Sequence, residues 1–134
     1  VVTVAVTNVR KWLTEQLAPQ LEGYVLMPWD QGFTPSAPTV MFYRSSVTEL
    51  PDAPRSGAFV NTITMYVAVP TTIGAEGLDE LDGALDEVLV ALHNVKGVVL
   101  VAATYEVLND TVPCFKVLVE VTSSIRSTTS EEDN

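Results

Sequence analysis

The segment 78–92 constrains the fold of this chain more than any other stretch. Leu78, Leu81, Leu85, Val88, Leu89 and Leu92 recur at helical spacing, which places them on one stripe of an amphipathic helix. Such a stripe must lie on an apolar surface. The sequence around it supplies strands. Residues 39–50, 58–69, 98–108 and 113–125 are rich in β-branched and aromatic side chains, with turn residues between them. A one-sided helix set among strands predicts helix-on-sheet packing. The helix is expected over 78–93. Acids crowd its first half, Lys96 follows its end, and Gly97 supplies a stop.

A second helix is predicted over 7–21. Val9, Trp12, Leu13 and Leu17 repeat at helical spacing, Thr7 or Asn8 can cap the start, and Pro19 and Gly23 punctuate the end. A short strand follows at 24–27. The loop 28–38 carries Trp29 and Phe33 among Pro28, Gly32, Pro35 and Pro38. Two roles stay open for these aromatics: folding back over the core edge, or contacting a partner. The loop 51–57 carries Arg55, another candidate contact.

The last two strand segments form a hairpin about Asn109-Asp110-Thr111. In the final one, Phe115, Val117, Val119 and Val121 alternate with Lys116, Leu118, Glu120 and Thr122, as in a sheet covered on one side. Residues 126–134 are polar and expected to be disordered alone. The expected fold is α+β: a mainly antiparallel sheet with two helices packed on one face, as a single domain over 1–125.

Charge narrows the function. Seventeen acidic residues face 7 basic ones in 134, a net charge of -10. Such a surface repels phosphate backbones and anionic lipid, so neither tight, salt-driven nucleic-acid binding nor membrane attachment is expected. No run approaches the roughly 20 apolar residues of a membrane helix, and no targeting segment is expected at the start. With one histidine, His93, and one cysteine, Cys114, the chain lacks the inventory for a nucleophilic triad, a classical zinc site or an intrachain disulfide. Cys114 opens a strand and reads as buried and unreactive. Gly74-Ala75-Glu76-Gly77 lacks the spacing and lysine of a phosphate loop. No catalytic residue, cofactor or metal site is expected.

One acidic cluster stands out: Glu76, Asp79, Glu80, Asp82, Asp86 and Glu87. Asp79, Asp82 and Asp86 share a helix side at spacings of three and four, where three carboxylates could meet a hard cation. A regular helix presents carboxylates poorly for such a shell, and a solvated face opposite the leucine stripe is the simpler reading. A third reading is a negative wall along a DNA channel.

The element order and texture of about residues 4–125 resemble the tail-terminator (minor tail, tail-completion) proteins of long-tailed phages. Three places carry the resemblance. They are the short helix with Val9-Arg10-Lys11-Trp12-Leu13 leading toward Pro38-Thr39-Val40-Met41-Phe42, the leucine-, alanine- and aspartate-rich helix over 78–92, and the closing hairpin over 98–125. The resemblance implies a hexameric ring of identical subunits at the neck of the virion, assembled in the bacterial host cytoplasm. The ring would cap the tail tube protein, join a head-completion or neck protein, and let DNA pass through its lumen without sequence recognition. No catalytic residues come with this family. On this reading Asp79, Glu80, Asp82, Asp86 and Glu87 are candidate lumen-facing acids, and Trp29, Phe33 and Arg55 are candidate contacts. The alternatives are another neck or head-closure component, a stand-alone α+β ligand-binding domain, and a small metal enzyme using Asp79, Asp82 and Asp86.

Overall fold

In the computed structural model, which describes residues 3–29, 35–50, 57–70, 75–108 and 110–124, strands and helices alternate along the chain. They are β1 Thr3–Val4, α1 Val9–Leu17, β2 Val25–Pro28, β3 Thr39–Glu49, β4 Ala58–Ala68, α2 Ala75–His93, β5 Val98–Leu108 and β6 Val112–Ser124. All six strands join one mixed sheet, curled into a half-barrel, with both helices on one face. The expected α+β single domain is therefore what forms. The expected tail, 126–134, lies outside the described residues.

β6 lies inside the sheet. On one edge it pairs antiparallel with β4, from Ala58↔Ser124 to Ala68↔Cys114. Its other edge is shared by β5, antiparallel from Val98↔Val121 to Leu108↔Val112, and by β1, parallel at Thr3↔Thr122 and Val4↔Ser123. β3 pairs antiparallel with β4 on the far side. β2 lies parallel on residues 39–42 of β3 and stops there.

Strand periodicity sorts the side chains. Ile63, Met65 and Val67 of β4, Val117, Val119 and Val121 of β6, and Val40 and Phe42 of β3 point toward the helices and are buried. α1 meets them with Val9, Leu13 and Leu17, one residue per turn. Its cap is Asn8, whose Oδ1 accepts from the Lys11 amide at 3.0 Å. The helix stops at Leu17, short of the expected residue 21, because Pro19 has no N–H to continue the ladder. The chain still buries Leu21 through a turn whose amide reaches the Leu17 carbonyl at 3.0 Å.

α2 corrects the leucine-stripe expectation. The residues buried against the sheet are Leu81, Ala84, Val88, Ala91 and Leu92, while Leu85 and Leu89 are half-buried and Leu78 is 42% exposed. Small alanines let the helix axis approach the sheet closely, so the buried stripe is centred between the leucines and the alanines. Leu78 sits in the opening turn, off the core. β1 is the element that the sequence reading lacked.

The opposite sheet face holds a smaller cluster, Met41, Tyr66, Ala68, Val112 and Cys114, covered by Met27, Trp29 and Leu108. A buried polar clamp sits at the other end of the sheet. Asn61, 1% exposed, donates through Nδ2 to the Val121 carbonyl at 3.0 Å and to Ser123 Oγ at 2.8 Å. The two bonds tie β4 to β6 side by side and satisfy an amide that would be costly to bury alone.

The rotated stripe has a direct test. Leu81→Ala is expected to cost roughly 2–5 kcal/mol in chemical denaturation, whereas Leu78→Ala stays within about 0.5 kcal/mol.

Candidate assembly surface

β5 is the unusual element. Its sequence, VVLVAATYEVL, is almost wholly apolar, yet nearly every residue is exposed. Val99 is 59% exposed and Val101 53%, and Leu100, Tyr105 and Val107 are exposed as well. Position explains this. β5 pairs with β6 on one side, and no described strand pairs with its other side. α2 reaches only its beginning, where Leu89, Leu92 and His93 form a groove of about 190 Å³ with Val98 and Leu100. Further along, Tyr105 is held edge-on to Phe115, with ring centroids 5.9 Å apart.

Between Lys96 and Glu106 the chain has no charged side chain, although the molecule carries a net charge of -10. Glu106 itself is held by Lys116, 3.9 Å away. Exposed edges normally carry lysine or proline to block pairing with other chains. Residues 98–105 carry neither. The register does shift between Leu100 and Ala102, a bulge at Val101. Val99, Leu100, Val101, Tyr105 and Val107 thus expose apolar surface on both faces of this edge strand.

The second open edge lies across the sheet. Beyond the stretch covered by β2, residues 43–48 of β3 have no described strand outside them and are exposed. Ser45 forms a bulge there, with its hydroxyl donating to the Thr62 carbonyl at 3.1 Å. Arg44 turns to the helix side and donates to Asn61 Oδ1 at 3.5 Å.

The acids expected on α2 are where the sequence placed them. Asp79, Glu80, Asp82, Asp86 and Glu87 are all exposed. Among the described residues, no three His, Cys, Asp or Glu side chains converge on a metal-sized site. Glu87 has a partner the sequence did not reveal: the Tyr24 hydroxyl donates to its Oε1 at 2.8 Å. Burial, then this hydrogen bond and the carboxylate charge, raise the Tyr24 pKa well above its ordinary value. A shallow groove of about 470 Å³ lies beside this pair, lined by Gln20, Asp86, Glu87, Val90, Ala91 and Asn94.

Of the candidate contacts, Trp29 is half-buried, its ring 4.4 Å from Tyr66 and 6.2 Å from Tyr43. It folds back over the core edge, one of the two roles left open for it. Phe33 and Arg55 lie outside the described residues. His93 is exposed at the end of α2. Cys114 is buried, and burial, aided by the Glu106 charge, pushes its thiol up from 9.0 to about 12. A neutral, enclosed thiol is a poor nucleophile.

No family model matches the chain, and no curated protein matches it.

Two outcomes are expected here. Cys114 in the folded chain resists thiol reagents at pH 8 and reacts once the chain is unfolded. Because its folded pKa lies above the unfolded one, its contribution to stability is complete below about pH 9 and is lost as pH rises toward 12. This is readable as a falling denaturation midpoint over that window when the unaltered chain is compared with Cys114→Ala. Separately, changing Asp79, Asp82 and Asp86 together to Asn leaves the circular dichroism spectrum intact, and EDTA leaves the melting temperature of the unaltered chain unchanged.

Proposed function

We propose that this chain is a structural subunit that assembles with copies of itself, as a tail terminator of a long-tailed phage. A ring of subunits would cap the tail tube and join it to the head. The observation that carries this reading is the 98–105 stretch of β5, an uncharged and largely apolar edge exposed on an acidic molecule. A monomer gains nothing from such an edge and risks aggregation. A subunit of a closed assembly buries it.

The charge distribution supports the same reading. Like-charged copies meet best where charge is absent, and 98–105 provides that. Asp79, Glu80, Asp82, Asp86 and Glu87 of α2 are exposed to solvent. Turned toward a lumen, they would repel DNA and let it pass unheld. The chemistry of such a subunit is binding alone, with no catalytic step.

Light scattering and electron microscopy of the purified protein, alone and with tail tubes, test the proposal. Rings, or capped tubes, are expected. Val99→Lys combined with Val101→Lys is expected to leave the fold intact and weaken association about a hundredfold, on the order of 3 kcal/mol. A chain that stays monomeric at every concentration and leaves tubes uncapped would overturn the reading.

A further inference from the structure

We infer that neighbouring copies join by strand addition, with residues 98–102 of β5 in one copy pairing antiparallel to residues 43–47 of β3 in the next. This rests on the ring reading and specifies its seam.

Strand direction makes the two edges compatible. Across β5, β6, β4 and β3 every adjacent pair is antiparallel, so β5 and β3 run in opposite directions at opposite ends of the sheet. A second copy set beside β3 without being turned over therefore presents its β5 antiparallel to it, and the alternation continues. Two unlike edges meeting this way form a head-to-tail contact, which can close into a ring. Pairing β5 with β5 would instead consume one edge and stop at a dimer.

The levels also agree. Following the pairings across the sheet, Val99 shares a row with Glu120, Thr62 and Ser46. Leu100 shares one with Val119, Ile63 and Arg44, and Ala102 shares one with Leu118, Thr64 and Tyr43. The half of β3 with no described strand outside it thus lies level with the first half of β5. Side-chain faces match as well: Val99, Ala102, Ser46 and Tyr43 point away from the helices, while Leu100 and Arg44 point toward them. Below this level, β2 occupies the lane beside residues 39–42, so an incoming β5 has to leave after Ala102. The bulge at Val101 falls at that place, and bulges bend strands.

Charge favours this occupant. Residues 98–105 are uncharged, and Arg44 is the one charged side chain in 43–48. The seam pairs a neutral strand with a cationic one in a molecule of net charge -10, where repulsion between copies is least. Five residues of pairing bury less than the roughly 1,200 Å² typical of a stable pair. Closure of a ring, in which each subunit uses both edges, supplies the remainder.

Cross-linking tests the seam. Val99→Cys and Ser46→Cys are placed in one chain, and the protein is treated with a flexible bis-maleimide whose reach tolerates a slip of register. Buried Cys114 stays unreactive. The double variant is expected to give a ladder of covalent multimers, and each single variant only monomers. Should that pair disturb the fold, Ala102→Cys with Tyr43→Cys on the next outward-facing row replaces it. Dimers from Val99→Cys alone would overturn the inference in favour of β5 on β5. Rings in micrographs without a ladder would overturn the seam and leave the ring reading standing. Neither rings nor ladder would overturn both.

Discussion

The fold depends on β6 being paired along both edges at once. β4 occupies one edge, and β5 and β1 divide the other. Each backbone amide of a buried strand needs a partner, because water is not there to replace it. β6 also supplies Val117, Val119 and Val121 to the floor beneath the helices, and the Asn61 amide fastens β4 to it through Val121 and Ser123. The helices depend on this floor. α1 and α2 bury their apolar stripes in one cluster with β3, β4 and β6.

The strong periodic signals in the sequence translated well. Four long strands, the α2 segment and the closing hairpin follow from spacing and turn chemistry, and the two helices fall on one face as expected. What spacing could not reveal was partner choice. β1 is two residues long, too short for any periodic signal, and its place is set by Thr122 and Ser123 at the other end of the chain. The orientation of α2 was misplaced because hydropathy ranks leucine above alanine. At a helix-sheet contact, closeness of approach favours Ala84 and Ala91 over Leu78.

The candidate surface was legible only in part. The acids of α2 stand exposed where the pattern placed them. β5 was harder to read. Valines and alanines on both faces of a strand ordinarily signal the middle of a covered sheet, whereas the pairing order leaves β5 on the margin. Trp29 was ambiguous for a related reason. A large aromatic in a loop can close its own core or enter another, and contact with Tyr66 becomes visible only after the sheet is assembled.

The late position of β6 also bears on synthesis. Among the described elements it is the last to leave the ribosome, yet β1, β4 and β5 all pair with it. Until then Val117, Val119 and Val121 are missing from the floor, and α1 and α2 have only part of a surface to rest on. Pairing β6 with β4 and β1 joins residues far apart in sequence, a topology that slows folding. Before β6 joins, the edges of β4 and β5 are both uncovered, which makes the chain prone to mispairing at that stage.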